Sequence, residues 1–381
     1  MSITSGYCLC KGTLLASYTF RRLRRRDTPR GTPRILVVRL DTLGDVLLSE
    51  PAIAALRHCF PQATLDMVVS SGGRSLLAGN PNVDSFIVYD APWHSAWRGK
   101  RVNWLAEIKR GWSVLRTLRR ASYDVGLELR GDFRDILFLA ATEAKMTMGN
   151  GGRGGGSFLD RDVAVKKDAH AVERALEIAA QVEALPVHLS PRLYLTPSHR
   201  GLAAQHLPPG GEYLAFHLGA GFPSKCLPVP YFCAVAQRLC AQGGRLRAVL
   251  VGGEEERPLV KKFLASYGMP AIDLVGQLEL LETAAVLERC TLFIGNDSAP
   301  MHMAAAVGTP VVTFFGPSEP TKYHPWGVVY RLLEVDLPCR PCDHVHCVHP
   351  EYRCMTGISV DDIVAAAEEL LTPVSLAANR F

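Results

Sequence analysis

Several absences narrow the possibilities for this 381-residue chain before any motif is considered. No stretch reaches the ~18 uninterrupted apolar residues of a spanning helix; the longest candidate, 304–316, is interrupted by Gly308, Thr309 and Pro310. A secretory signal would place positive charge before its apolar run, whereas here the weakly apolar segment 12–20 precedes the arginines, so residence in the cytoplasm is expected. There is no repeat of fixed 20- to 50-residue period, which excludes a solenoid. Nor is there a Walker Gly-Lys-Ser/Thr, or a Gly-x-Gly-x-x-Gly running from strand to helix, which sets aside P-loop and dinucleotide-dependent oxidoreductase chemistry. Intrinsic disorder is excluded by 48% hydrophobic and only 21% charged residues.

The net charge of +5 is unevenly spread. Residues 1–34 carry eight basic side chains (Lys11, Arg21, Arg22, Arg24, Arg25, Arg26, Arg30, Arg34) against Asp27, leaving the remainder at −2. Such a body is a poor nucleic-acid binder, and only the arm invites an anionic partner, such as the inner face of a membrane. A solvated leader without function is the competing reading of the arm. Of eleven cysteines, seven (Cys8, Cys10, Cys59, Cys226, Cys233, Cys240, Cys290) are scattered and the count is odd, which fits reduced thiols.

From residue 35 onward, short β-branched runs alternate with helical patterns, the signature of right-handed βαβ units on a parallel sheet. Strands are expected at 35–39, 65–69, 86–89 and 125–129, with helices at 45–58, 104–118, 133–141 and 170–184. The proline-rich stretch 185–211 reads as a connection with about one turn of helix. A second series follows, with strands at 213–217, 248–251, 292–294 and 310–314 and a last helix at 360–371, expected to pack back onto the first half. The expected organisation is a basic arm (1–34), a Rossmann-like half (35–190), a linker (191–211), a second Rossmann-like half (212–335) and a cysteine-rich segment with the last helix (336–381).

In this α/β class, ligands lie beyond the carboxyl ends of strands, so chemistry belongs to the loops there. The first loop holds Asp41, Thr42, Gly44 and Asp45; Asp45 stands at a helix start, where it is either a cap or an ionised base. The second holds Gly219, Ala220, Gly221, Ser224 and Lys225, with backbone N–H groups and an ammonium suited to an anion. Glu254, Glu255 and Glu256 are either a solvated helix start or supply one ribose ligand. In Gly295-Asn-Asp-Ser-Ala-Pro-Met-His302, Asp297 and Ser298 are either caps or contacts to sugar and phosphate, and His302 follows one turn into the helix.

Arg39-Leu-Asp-Thr-Leu-Gly-Asp-Val-Leu-Leu-Ser-Glu-Pro51, the 295–302 motif, Gly308-Thr-Pro310 and Phe315-Gly-Pro317 together resemble glycosyltransferase family 9, the lipopolysaccharide-core heptosyltransferases, over about residues 35–372. The resemblance implies a GT-B fold, a donor of ADP-heptose type in the second half and a lipid A-core-like acceptor met by the first. It also implies inversion at the anomeric carbon with no cofactor or essential metal. By analogy Asp45 matches the base, Lys225 the diphosphate-binding lysine, Asp297 the aspartate near the donor sugar, and Glu254 or Glu255 a ribose contact. The loop before Lys225 departs from hydroxyl-rich versions, which shifts phosphate binding onto backbone N–H groups.

Cys339, Cys342, Cys347 and Cys354 permit a structural zinc or iron–sulfur site, although the second spacing is wide for one; free thiols are the alternative. Two other functions fit this organisation: a nucleotide-sugar epimerase, which needs no acceptor, and a non-catalytic membrane-associated binding protein.

Overall fold

A computed structural model describes residues 31–97, 102–241 and 245–372. The arm therefore lies outside the described residues, except for 31–34. The first half contains strands β1 (Arg34–Arg39), β2 (Thr64–Val69), β3 (Ser85–Val88), β4 (Val125–Glu128), β5 (Met146–Gly149) and β6 (Arg161–Asp162); the second contains β7 (Glu212–His217), β8 (Leu246–Leu250), β9 (Ala271–Asp273), β10 (Leu292–Asn296), β11 (Val311–Phe315) and β12 (Tyr330–Glu334). The first sheet runs β3-β2-β1-β4-β5-β6 and the second β12-β11-β10-β7-β8-β9. Every neighbouring pair is parallel. Both sheets thus repeat one doubly wound order, whose strand order reverses between β1 and β4 in the first and between β7 and β10 in the second.

The central strands are apolar almost throughout because helices cover both faces: Ile35 to Val38, Leu214 to Phe216 and Leu292 to Ile294 are fully or almost fully buried. The expected helix at 45–58 is two helices, Leu43–Leu48 and Glu50–Cys59. Pro51 lacks the N–H needed to continue the first, and it stands in the opening turn of the second. The proline-rich connection holds a ten-residue helix, Pro197–His206, capped by Thr196. One expectation is corrected. The last helix, Val360–Leu371, packs against the helix Val229–Ala241 and β12, within the second half's core, and not back onto the first half. Its buried face (Ile363, Val364, Ala367, Leu370) extends the apolar cluster around Phe232 and Phe314.

The halves share apolar material. Leu47 and Leu76, from the first, are buried in the same cluster as Met301, Met303 and Phe315 from the second.

Candidate functional site

At the first switch point, β1 ends in Arg39 and β4 leads to Leu129 and Arg130. Arg39 is buried and donates to the Leu129 carbonyl at 2.5 Å. Its guanidinium lies 3.4 Å from Asp45 Oδ1 and 3.6 Å from Asp41 Oδ2. The Thr42 hydroxyl donates to Asp45 Oδ2 at 2.7 Å, which fixes the carboxylate's rotamer. Burial alone would raise the Asp45 carboxyl, but Arg39, Arg130 and Thr42 outweigh it and hold the group below its ordinary value, ionised. Asp41 goes the other way. Burial, with the Asp45 charge adding to it, pushes its carboxyl up to about 7 despite Arg39 and the Arg130 Nε at 3.1 Å. Two neighbouring carboxyls with opposite shifts make one a standing base and leave the other to titrate near neutrality.

Behind them, Glu128 is fully buried and pushed up to about 8, chiefly by burial and then by Asp135, although the backbone N–H groups of Arg130 and Gly131 donate to it. Arg153, Arg174, Lys322 and Tyr323 line the pocket in front of Asp45. The Asp45 charge, then burial, raises the Tyr323 phenol above its ordinary value.

At the second switch point, Lys225 Nζ and Ser318 Oγ both donate to Asp297 Oδ2 at 2.6 Å. Burial pulls the Lys225 ammonium down, but Asp297 more than reverses that, and it stays charged. Asn296 ties the two loops together: its amide donates to the carbonyls of Leu218 and Gly219, and its oxygen accepts from the Leu227 N–H. Beside this pair, Ser298 Oγ lies 3.1 Å from His217 Nδ1, and His217 Nε2 lies 3.2 Å from Glu256 Oε1. The other Glu256 oxygen accepts from the Gly253 N–H.

The two loop systems meet at Gly44. A Cβ there would stand 2.7 Å from Cδ2 of the buried His302 ring, so only glycine lets the Asp45 loop reach the helix Ala299–Ala306. Of the residues expected from sequence, Asp41, Thr42, Gly44 and Asp45 gather at the first crevice, and Gly219, Lys225, Asp297, Ser298 and His302 at the second. Ala220 and Gly221 follow in the same loop. Ser224 is buried, its hydroxyl donating to the His344 carbonyl at 2.5 Å. Glu254 is exposed and pairs with Arg257 at 3.3 Å, and Glu255 is exposed. Among the described residues no group of three or more His, Cys, Asp or Glu is disposed to hold a metal, Cys339, Cys342, Cys347 and Cys354 included. Arg130 and His217 escaped the sequence reading, and of the three glutamates it is Glu256 that turns toward His217. The only available signal was position, since each follows or ends a central strand.

Facing parallel sheets of this order, with a loop carboxylate opposing a lysine–aspartate pair, have the architecture of the GT-B glycosyltransferase fold. The model of glycosyltransferase family 9 (heptosyltransferase) matches residues 111–353. The chain belongs to glycosyltransferase family 9. It is similar to lipopolysaccharide heptosyltransferase 1 of Pseudomonas aeruginosa, 27% identical over 327 residues that cover 83% of this chain and 88% of that protein. Among solved structures, a family 9 glycosyl transferase from Veillonella parvula superposes with a TM-score of 0.75 at 23% identity, over 91% of this chain and 99% of that one. Escherichia coli ADP-heptose lipopolysaccharide heptosyltransferase II does so with a TM-score of 0.70 at 22% identity, over 89% and 98%.

Proposed function

We propose that this enzyme transfers a heptose, or a closely related sugar, from an ADP-heptose-like donor to a lipid-linked saccharide of the lipopolysaccharide core, with inversion. The observation that carries the reading is the meeting at Gly44 and His302, which sets an ionised carboxylate on one wall of a cleft against a charged lysine on the other. The names of the relatives support the sugar and the acceptor.

In this reading Asp45 accepts the proton of an acceptor hydroxyl as it attacks the anomeric carbon. Lys225 and the N–H groups of Gly219, Ala220 and Gly221 neutralise the charge growing on the departing diphosphate, which leaves from the opposite face. Asp297 and Ser298 take donor hydroxyl and phosphate groups, with His302 behind them; Glu254 or Glu255 reaches the ribose. Asp41 and Thr42 hold the base and the acceptor side. No step of this scheme runs through a metal. The enzyme works from the cytoplasm, and its basic arm keeps it near an anionic membrane that carries the acceptor.

ADP release is measured with ADP-heptose alone and with a deacylated core acceptor, alongside melting shifts for a panel of nucleotide sugars. The reading expects acceptor-dependent release and a shift for ADP-sugars. An isomerised sugar formed from donor alone would favour the epimerase instead, and no shift with any nucleotide sugar would favour a non-catalytic binder.

A further inference from the structure

The helix Trp104–Ala121 turns one face inward and leaves another bare. Leu118 and Gly111 are buried, and Val114, Leu115 and Ala121 pack on the cluster of Leu36, Val38, Tyr89 and Phe138. On the outer face, Trp104, Leu105, Ile108 and Trp112 are 53, 77, 53 and 58% exposed. At 100° per residue these four fall within one ~100° arc. Scattered exposed apolar residues need no explanation, but a contiguous stripe with two tryptophans does.

The charge around the stripe is predominantly positive. The helix carries Lys109, Arg110, Arg116, Arg119 and Arg120 against Glu107, which pairs with Arg110 at 3.7 Å, while Arg119 pairs with Glu143 at 3.3 Å. Arg119 lies over the Trp112 ring, 5.8 Å from its centroid, so a guanidinium sits level with an exposed indole. Lys109, Arg116 and Arg120 are exposed. Aromatic and aliphatic side chains bordered by long basic ones are suited to the boundary between headgroups and acyl chains, where the rings sit at headgroup level and the cations meet lipid phosphates.

The helix is also close to the chemistry. Gly111 abuts the Tyr89 ring; Tyr89 packs edge-on against Trp93, which donates to Asp135 at 2.9 Å. His94, next in sequence, lies 3.2 Å from Arg130, the residue paired with Asp41. A short run of side chains thus separates the bare face from the Asp45 loop.

We propose that the outer face of Trp104–Ala121 docks flat on an anionic phospholipid surface and brings the first crevice to the level where a lipid-borne acceptor presents its saccharide. The lipid-borne acceptor comes from the function proposed above; the docking itself rests on the stripe and its charge.

The full chain is tested by co-sedimentation with vesicles of phosphatidylethanolamine and phosphatidylglycerol, and with phosphatidylcholine alone, at low and at physiological salt. Leu105→Gln with Ile108→Gln should reduce partitioning roughly tenfold or more onto the anionic vesicles, with the melting temperature unchanged. Arg116→Gln with Arg120→Gln should reduce it mainly at low salt and only on anionic vesicles. Both variants should keep wild-type transfer to a water-soluble acceptor while transfer to the vesicle-borne acceptor falls. Wild-type partitioning by both variants overturns the proposal, as does a change of oligomeric state in the apolar variant without loss of vesicle binding, because the face would then be covered by a second copy. Absence of transfer to either acceptor by the wild type counts against the proposed function and leaves the sedimentation result standing.

Discussion

Replacing Asp45 by asparagine removes a charge and little else. The Thr42 hydroxyl that donates to Asp45 at 2.7 Å finds an amide oxygen in the same place. The Arg39 contact is long, at 3.4 Å, and Arg39 keeps both Asp41 and the Leu129 carbonyl. The stability change should therefore stay within about 1 kcal/mol, the scale of one ordinary hydrogen bond, or a few degrees of melting temperature. Catalysis should respond very differently. Loss of a positioned general base slows turnover by roughly 10² to 10⁴, equivalent to about 3–5 kcal/mol of barrier. Affinity for ADP should change little, because the proposed scheme holds the nucleotide from the other wall. Removing the Asp45 charge also removes one of the influences that raise Asp41, so the Asp41 titration should move below its wild-type value of about 7. Single-turnover transfer rates, ADP titration calorimetry and a pH profile read the three effects. Turnover within tenfold of wild type at saturating donor and acceptor would remove Asp45 from the base role.

Lys225→Met should weaken ADP binding by at least tenfold and destabilise the fold by about 2–3 kcal/mol, because Asp297 is then left buried with Ser318 alone. Adding Asp297→Asn should restore melting temperature but not ADP affinity; recovery of both would assign Lys225 a purely structural role. Gly44→Ala should cost about 1–3 kcal/mol through the clash with His302, relieved by His302→Ala; an unchanged melting temperature would refute the tight contact. Stability should fall between about pH 6.5 and pH 8. Burial raises Asp41 and Glu50 to about 7 and Glu128 to about 8, so across that window the folded chain holds protons the unfolded chain has already lost, whereas His170, His188 and His302, all lowered by burial, oppose this only at more acid pH. Differential scanning calorimetry should therefore give a higher melting temperature at pH 6.5 than at pH 8, and a flat or rising profile between these values would contradict the protonated carboxyls.

How far the sequence could be read depended on the range of the forces involved. The central strands and the helix Phe133–Ala141 announce themselves through local periodicity, and the helix matches its expected span. Strands β5, β6, β9 and β12 did not: they have two to five residues each, and β6, β9 and β12 lie toward sheet edges where burial is partial. The helix Ser71–Leu76 contains Gly72 and Gly73 and has little helical propensity of its own. It forms because Ser70 caps it and because Gly73 allows close approach to Val69 and Val46. The loop residues Asp45, Lys225 and Asp297 could be singled out because each lies in a glycine-containing motif after a strand, where local sequence alone carries the resemblance to family 9. The His217, Glu256 and Ser298 array could not, since its members are 39 and 81 residues apart and join only through tertiary structure.

Leu47 stands two residues beyond Asp45 on the same short helix, yet it is buried among side chains of the opposite half. The Asp45 loop is consequently held in position by the wall that carries Lys225 and Asp297. Were the halves to part, Leu47 would lose its socket and the Asp45 loop its support, so the carboxylate would disengage at the moment water gained entry. In the function proposed above, the same packing acts as a timing device: a donor bound in a gaping cleft would face no properly aimed proton acceptor, and its wasteful hydrolysis would be avoided without a separate gate.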